Sequence, residues 1–324
     1  MRVLVSGASG IVGYGILRTL SEAKFISLLV GTSIYDDSVA PAFCDVFVKA
    51  PHTQSPEYGG WLLSVLETYK IDVLIPGIEA DMYFWNQNSC EIQGVGAFPL
   101  LNQSSLIELC KDKWIFYNKL LDSGVSCAIE SSISEDFSKL ASKFGPRILL
   151  KPRQGFGSKG IAIVTSAEEF EQHQKNSKAE LMAQPVIGSD EQEFTTAVFC
   201  DGEGGYFSDI TLRRRLSNAG FTDRAEVVST DYFREAIDQL CALLHPIGPT
   251  NFQFRMSNEG PKLLEINPRI SSSTSIRAAF GYNESVMAID YFLNQKQPRP
   301  PAIKHGHAIR YTTEHIFYED SIHI

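Results

Sequence analysis

Residues 251–274 read "NFQFRMSNEGPKLLEINPRISSST", a pattern that predicts two strands joined by a turn at 258–260. Side chains alternate between the faces of a strand, so Glu265 and Asn267 lie on one face. The short turn brings Gln253 beside them from the first strand. Oxygen-bearing side chains of this kind suit a hard cation such as Mg²⁺, which bridges phosphate oxygens. The three residues are therefore predicted to hold a metal ion.

A glutamate within the apolar run "KLLEINP" needs a special environment. Burying an unpaired carboxylate costs several kcal/mol, so Glu265 requires a cation nearby if the strand is buried. The alternative is a half-exposed strand whose polar side chains face water.

Two basic residues are predicted to contact phosphate at the same place. Arg269 follows Asn267 by two residues and shares its face, where a guanidinium suits a γ-phosphate or an acyl-phosphate. Lys151 ends a strand and precedes the glycine-rich segment 152–160, "PRQGFGSKG". A lysine beside such a loop neutralises phosphate charge while the loop closes over the ligand. The order of residues is not that of a Walker loop, and a plain glycine-rich hairpin remains the alternative.

The length, composition and net charge of the chain limit the classes of protein to which it can belong. The chain has 324 residues, of which 44% are hydrophobic and 21% charged, and its formal net charge is −9. At about 150 residues a domain, this length predicts two or three globular domains. The negative charge disfavours nucleic acid as a partner. With no apolar run of membrane-spanning length and no signal-peptide pattern at the N-terminus, we expect a soluble, cytoplasmic protein without a membrane partner.

Two kinds of pattern follow each other along the chain. Residues 1–103 alternate short apolar strands with helical stretches, which predicts a Rossmann-like α/β domain with a parallel sheet. Residues 102–123 read as one helix, which we take as the domain boundary. The remainder predicts an α+β fold of mostly antiparallel strands, divided into a linker helix with a lid at 104–182 and a metal-binding subdomain at 183–324.

A glycine-rich loop near the N-terminus raises a rival interpretation. Gly7, Gly10 and Gly13 follow a strand and open a helix, and their spacing resembles the nucleotide-binding loop of extended short-chain dehydrogenases and epimerases. That class expects an acid at the end of the second strand, where Gly31 and Thr32 stand here, and a YxxxK pair, which is absent. A tight strand-to-helix turn explains the glycines equally well.

The downstream motifs resemble a known family. The segments "LLKPRQGFGSKG", "QPVIG" with "EQEF", and "NFQFR" with "LEINPRISSST", in this order, resemble the ATP-grasp superfamily. Within it, the chain is most similar to one synthetase half of the large chain of carbamoyl-phosphate synthase. The resemblance covers nearly the whole chain and implies an N-terminal α/β domain followed by an ATP-grasp fold.

The resemblance also implies roles for individual residues. The nucleotide-binding set is Lys113, Lys151, Gly155, Gly157, Ser158, Gly160, Gln184, Pro185, Val186, Ile187, Glu193 and Arg215. In this set the glycines cover the phosphates, the backbone of 184–187 contacts adenine, and Glu193 binds the ribose hydroxyls. Glu193 aligns with the family's ribose-binding acid only if this chain has two inserted residues after Gly188. The catalytic residues are Arg269 and Lys151, and the metal ligands are Gln253, Glu265 and Asn267.

The implied activity is an ATP-dependent ligation. A carboxylate takes the γ-phosphoryl group to give an acyl-phosphate, and an amine or ammonia then displaces phosphate. The implied cofactors are ATP and Mg²⁺, with Mn²⁺ as a substitute, and the partners are small carboxylates and amines and a second copy of the chain. Glu79 and Asp81, which follow a parallel strand, are candidates for the amine site. The alternatives are an NAD(P)-binding epimerase or dehydrogenase and a non-catalytic ATP-binding partner protein.

Overall fold

The N-terminal domain is a parallel sheet with helices around it. The computed structural model describes residues 1–133, 135–155, 160–217 and 220–317. The strands are β1 (Arg2–Val5), β2 (Leu28–Ser33), β3 (Val46–Lys49), β4 (Val73–Ile75) and β5 (Phe98–Pro99), and the helices are α1 (Ile11–Leu20), α2 (Tyr58–Tyr69), α3 (Glu79–Gln87) and α4 (Ser89–Gly94). The strand order is β3-β2-β1-β4-β5, with every pair parallel. Apolar residues such as Val3, Leu4 and Val5 are fully buried, because helices cover both faces.

The linker contains two helices where the sequence predicted one. These are α5 (Ser104–Cys110) and α6 (Lys113–Asp122). Asp112 interrupts the pattern, since its side chain accepts hydrogen bonds from the backbone N–H groups of Trp114 and Ile115 and so caps the second helix. The Asp112 carboxylate also pairs with Arg153 at 2.6 Å, and the Lys113 N–H donates to the Arg153 carbonyl. The break thus fixes Lys113 at the start of α6, against the lid.

The lid is a small antiparallel sheet with two helices on its outer face. It comprises α7 (Phe137–Phe144), β6 (Ile148–Pro152), β7 (Ala162–Val164), α8 (Ala167–Asn176) and β8 (Leu181–Pro185), with strand order β7-β6-β8. Ile148, Leu150 and Val164 pack against the helices. The opposite, inner face carries Leu149, Lys151 and Ile163. Strand β8 crosses the boundary proposed at residue 182, so the lid sheet continues to Pro185.

The larger antiparallel sheet joins the parts of the molecule. Its elements are β9 (Glu193–Asp201), β10 (Tyr206–Leu216), β11 (Thr222–Val228), α9 (Arg234–Leu244), β12 (Ile247–Ser257), β13 (Gly260–Asn267), α10 (Thr274–Ala279), α11 (Glu284–Asn294) and β14 (His307–Ile309). The strand order is β13-β12-β9-β10-β11-β14. Helices α6 and α9 pack on one face around Phe252 and Phe254. On the other face, Phe199 meets α11 and the N-terminal domain.

Asp112 provides a test of the linker. Asp112→Ala removes both the cap and the ion pair with Arg153, and we expect it to lower the free energy of unfolding by about 1–2 kcal/mol. Asp112→Asn keeps an oxygen for the cap and loses only the charge, so its loss is under about 1 kcal/mol. Urea unfolding measures both variants. Equal losses would show that the charge alone matters at this position and that the cap contributes nothing.

Candidate functional site

The strands β12 and β13 place the predicted metal ligands side by side. Gln253 lies directly opposite Glu265, and Asn251 lies opposite Asn267. The pairing skips Leu264, so β13 contains a β-bulge at this residue. The bulge turns Leu263 into the core while Glu265 and Asn267 face the lid. The sequence prediction that Gln253, Glu265 and Asn267 share a face agrees with this register.

The Glu265 carboxylate is surrounded by charges that it does not contact. In the part of the chain that the structure describes, it makes no hydrogen bond and no ion pair. Burial raises the pKa of Glu265, and nearby Glu79 adds to this, whereas Lys113, Arg269 and Lys151 oppose it. A half-buried carboxylate that has no partner but lies near three cations is costly to the folded protein unless a ligand occupies the space between the charges.

The two predicted phosphate lysines approach from the lid and the linker. Lys151, at the end of β6, is 6% exposed, and its Nζ donates to the Tyr117 hydroxyl at 3.0 Å. Burial lowers the pKa of Lys151 to about 7, with Glu265 opposing and Lys113 adding to the shift. The Lys113 Nζ donates to the carbonyl of Gly155 at 2.6 Å, and thus reaches the start of the glycine loop.

The glycine loop itself is described only at its two ends. Gly155 has φ of +128° and Gly160 has φ of +75°, backbone conformations that L side chains rarely adopt. The proposed phosphate contacts Gly157 and Ser158 lie outside the described residues.

Arg269 is held at the junction of the two domains. Its guanidinium forms an ion pair with Glu79, at the start of α3, and donates to Asn267 Oδ1 at 3.3 Å. Its Nε is buried without a hydrogen-bond partner among the described residues. Burial acts to raise the pKa of Glu79, but the ion pair outweighs it and holds the pKa below its usual value. Asp81, the other candidate for the amine site, is instead buried and accepts a hydrogen bond from Thr53.

Glu193 is not placed as the sequence predicted. It lies at the start of β9, where Oε1 accepts from Arg214 at 2.8 Å and Oε2 accepts from Arg255 at 2.7 Å. Both oxygens are therefore engaged, one by the buried guanidinium of Arg214 and the other by the half-buried guanidinium of Arg255, and the assignment of Glu193 to the ribose hydroxyls does not fit this geometry. Glu191, two residues earlier, is exposed on the rim of a cavity of about 750 Å³ that Glu193 also lines.

Arg214 was missed by the sequence analysis, which favoured its neighbour Arg215. Arg214 is 6% exposed and also donates to Gln253 Oε1 at 2.7 Å. This hydrogen bond turns the Gln253 oxygen towards Arg214 and occupies one of its two lone pairs, and the role of Gln253 as a metal ligand stays a prediction. Arg215 lies on the opposite face of β10 and is exposed. Strand alternation in the sequence places Arg214 and Arg215 on opposite faces, and only Arg214 pairs with Glu193 across the strands.

The predicted adenine hinge follows the last lid strand. Gln184 is buried in β8, and its Nε2 donates to Ser131 at 2.7 Å, so this side chain serves the lid. After Pro185 the strand ends, and within the described chain the N–H groups of Val186 and Ile187 donate to no other group. Ile163, on the inner face of the lid, is 46% exposed. The hinge therefore presents free backbone donors next to an uncovered apolar surface.

The N-terminal glycine loop is explained by packing. A Cβ on Gly13 would lie 2.3 Å from the carbonyl oxygen of Gly7, and Gly7 itself has φ of +59°. The end of β2 is Ser33, and the acid expected of a dinucleotide-binding domain is absent there. These glycines are needed to bring β1 and α1 together, which removes the main support for the NAD(P) interpretation.

The sequence is similar to a described protein family and to known enzymes. Residues 178–315 match the model of a family described as ATP-grasp in the biosynthetic pathway with Ter operon. The carbamoyl phosphate synthase large chain of Thermotoga maritima is 25% identical over 181 residues, which are 51% of this chain and 16% of that protein. The chain thus matches only about a sixth of that relative's length.

Solved structures show the same fold. The N5-carboxyaminoimidazole synthetase of Staphylococcus aureus, complexed with ADP, has a TM-score of 0.73 at 17% identity, covering 93% of this chain and 79% of that one. The biotin carboxylase domain of the Hydrogenobacter thermophilus 2-oxoglutarate carboxylase, with MgADP and bicarbonate, has a TM-score of 0.73 at 14% identity, covering 94% and 73%.

The chain contains an ATP-grasp family domain in residues 178–315, and its overall fold is that of the solved synthetase and carboxylase structures. It is a homologue of part of the carbamoyl phosphate synthase large chain, with a parallel-sheet N-terminal domain ahead of the antiparallel ATP-grasp sheet. The family and the fold class predicted from the sequence are confirmed. No helix among the described residues has both the length and the apolarity needed to cross a membrane.

The arrangement around Glu193 predicts a difference in stability. Glu193→Gln leaves the buried guanidinium of Arg214 without its counter-charge, whereas Arg255 keeps its ion pair with Asp190, and we expect the free energy of unfolding to fall by about 3 kcal/mol. Glu191→Gln, the matched control on the exposed rim, should change it by less than about 0.5 kcal/mol. Urea unfolding compares the two variants with wild type. Similar stability in both variants would contradict the structural role of Glu193.

Proposed function

We propose that this protein is an ATP-dependent ligase that joins a carboxylate to an amine or ammonia through an acyl-phosphate. The observation that carries the proposal is the unpartnered, half-buried Glu265 carboxylate, which lies near the cations Lys113, Lys151 and Arg269. These residues come from the lid, the linker and the large sheet, so the chain assembles them at one place only in its folded form. An anion accompanied by a divalent cation would balance all four charges.

The nucleotide phosphates are the anion that fits this cluster. Lys151 and Lys113 supply two ammonium groups, and Lys113 already contacts the start of the glycine loop at Gly155. We expect the loop that begins at Gly155 to cover the phosphates, because a water-labile acyl-phosphate needs protection from solvent. The base fits beside the hinge, where the N–H groups of Val186 and Ile187 are free and Ile163 offers an apolar surface.

The ribose is assigned to a different acid from the one that the sequence suggested. A nucleotide with its base at the hinge places its ribose near the turn before β9. Glu191 lies in this turn, and its exposed carboxylate makes no ion pair among the described residues. Carboxylates bind vicinal hydroxyls as acceptors. We therefore assign the ribose hydroxyls to Glu191 in place of Glu193.

The residues present fit a magnesium ion bound together with ATP. Glu265 and Asn267 offer oxygen ligands on one face, and Mg²⁺ commonly uses one or two carboxylates together with substrate phosphates. Gln253 is directed to Arg214, and the described residues contain no group of three His, Cys, Asp or Glu side chains placed to hold a metal. When bound, the ion would offset phosphate charge; Mn²⁺ would serve the same ligands.

The first chemical step joins two anions. A carboxylate oxygen attacks the γ-phosphorus, the bond from that phosphorus to the bridging oxygen breaks, and ADP leaves with the electron pair. Arg269 and Lys151 lower the repulsion between the reactants and stabilise the charge that develops on the transferring group. Holding both reactants in line lowers the activation barrier by about 7–11 kcal/mol in reactions of this kind.

The second step forms the amide. The amine attacks the acyl carbon, the bond from this carbon to the phosphate oxygen breaks, and inorganic phosphate leaves while the nitrogen loses a proton. We assign the ammonium group to Glu79, because Arg269 engages only Oε1 of its charged carboxylate and Oε2 makes no ion pair among the described residues. The carboxylate and the amine are therefore expected to meet at the junction of the N-terminal domain and β13.

Lys151→Ala tests nucleotide binding. Loss of one charge-assisted contact to phosphate should weaken ATP binding about ten- to a hundredfold. Lys175→Ala, on the outer helix of the lid, is the matched control and should bind ATP as wild type does. Calorimetry with Mg-ATP measures all three proteins, and NADH and NADPH are titrated alongside. Binding of NADH or NADPH without binding of ATP would favour the dehydrogenase interpretation and overturn the proposal.

Glu265→Gln tests the phosphoryl-transfer step. The amide keeps the size of the side chain but removes an anionic ligand, so we expect turnover to fall at least a hundredfold while ATP still binds through the lysines. Single-turnover ADP formation is measured across a magnesium titration, with the amino acid or small carboxylate that gives the fastest ADP release in a panel. Full activity of the variant at low magnesium would assign Glu265 a structural role only. No ADP release by wild type with any member would favour a non-catalytic ATP-binding protein.

A further inference from the structure

Tyr117 connects the phosphate lysine of the lid with the metal-binding strand. It lies on α6, is 1% exposed, and belongs to the cluster that packs this helix against the large sheet. Its hydroxyl accepts a hydrogen bond from Lys151 Nζ at 3.0 Å and donates to the carbonyl oxygen of Leu264, with the carbonyl oxygen of Leu263 as a more distant second acceptor at 3.3 Å. A phenol has one hydrogen to donate and lone pairs to accept, so one hydroxyl serves both contacts.

The carbonyl group that accepts the Tyr117 hydrogen bond belongs to a residue at a β-bulge. Leu264 is the bulge residue of β13, and a bulge residue lacks a partner in the ladder. Tyr117 supplies the missing donor at the residue immediately before Glu265. The same bulge turns Leu263 inward and leaves Glu265 facing the lid. The Tyr117 hydroxyl therefore stabilises the backbone that orients the Glu265 carboxylate.

The Lys151 side chain makes a second contact with Tyr117, through the aromatic ring. Its Nζ lies 4.3 Å from the centroid of the Tyr117 ring, within the range in which an aromatic face attracts a cation. A free lysine samples many rotamers, and fixing it in one of them costs conformational entropy. Contact with both the ring and the hydroxyl holds the ammonium in place before the nucleotide arrives.

We propose that Tyr117 is a positioning residue that holds Lys151 and, through Leu264, Glu265 in the geometry needed for phosphate and metal. This inference rests on the proposed function, because it gives Lys151 and Glu265 their roles at ATP. Tyr117 itself is not placed against the nucleotide. Its effect on ATP binding is expected to pass through Lys151.

A double-mutant cycle tests this dependence. ATP affinity is measured by calorimetry for wild type, Tyr117→Phe, Lys151→Met and the double variant. We expect Tyr117→Phe to weaken ATP binding about tenfold when Lys151 is present, and to have no further effect when Lys151 is replaced by methionine. Additive effects of the two substitutions would overturn the proposal, since a merely structural tyrosine acts regardless of Lys151.

Two controls separate positioning from stability. Tyr282→Phe removes another buried hydroxyl, which donates to the Ser208 carbonyl, and it should leave ATP affinity unchanged. If Tyr117→Phe does not unfold cooperatively, Tyr117→Met replaces it in the cycle, because a flexible thioether fills the space. Wild-type protein that binds no ATP would refute both the proposed function and this inference. ATP binding that depends on Lys151 in an additive cycle would refute the inference alone.

Discussion

The position of the Glu265 carboxylate constrains the rest of the structure. The carboxylate is half-buried and unpaired among the described residues, and the surrounding cations Lys113, Lys151 and Arg269 form no ion pair with it. Direct ion pairs would stabilise the folded protein more, but they would close the space between the charges. Each cation is instead held by another group of the protein: Lys151 by Tyr117, Lys113 by a carbonyl of the glycine loop, and Arg269 by Glu79.

This constraint explains why three parts of the molecule meet at one place. The lid supplies Lys151, the linker supplies Lys113 and Tyr117, and the large sheet supplies Glu265. The cap at Asp112 starts α6 beside the lid, and the bulge at Leu264 directs the next residue towards it. Stability is given up locally to keep a charged space open, a pattern that is common where proteins bind and transform ligands.

Much of this architecture was predictable from the sequence. The spacing of Glu265 and Asn267 in an apolar strand, with a turn leading back to Gln253, predicted their shared face correctly, because strand periodicity is local. The alternation of strands and helices predicted the parallel N-terminal sheet for the same reason.

The errors arose where distant residues decide the outcome. Glu193 was assigned to ribose from a motif match, but Arg214 and Arg255 from two other strands bind its carboxylate. Arg214 also donates a hydrogen bond to Gln253. The linker was read as one helix because Asp112 fits a helical pattern, whereas its carboxylate caps a second helix and pairs with Arg153, which is distant in sequence. The function of Tyr117 was invisible for the same reason, since Lys151 and Leu264 are far from it in sequence.

The most direct measurement of the central claim is the affinity of wild-type protein for ATP with and without magnesium. Calorimetric titrations are run in saturating Mg²⁺ and in EDTA at the same ionic strength. If Glu265 faces the phosphates without a partner, its charge repels ATP until a cation lies between them, and the affinity should be at least tenfold higher with Mg²⁺. Equal affinity in Mg²⁺ and EDTA would contradict the account, because it would show that the carboxylate does not face the bound phosphates.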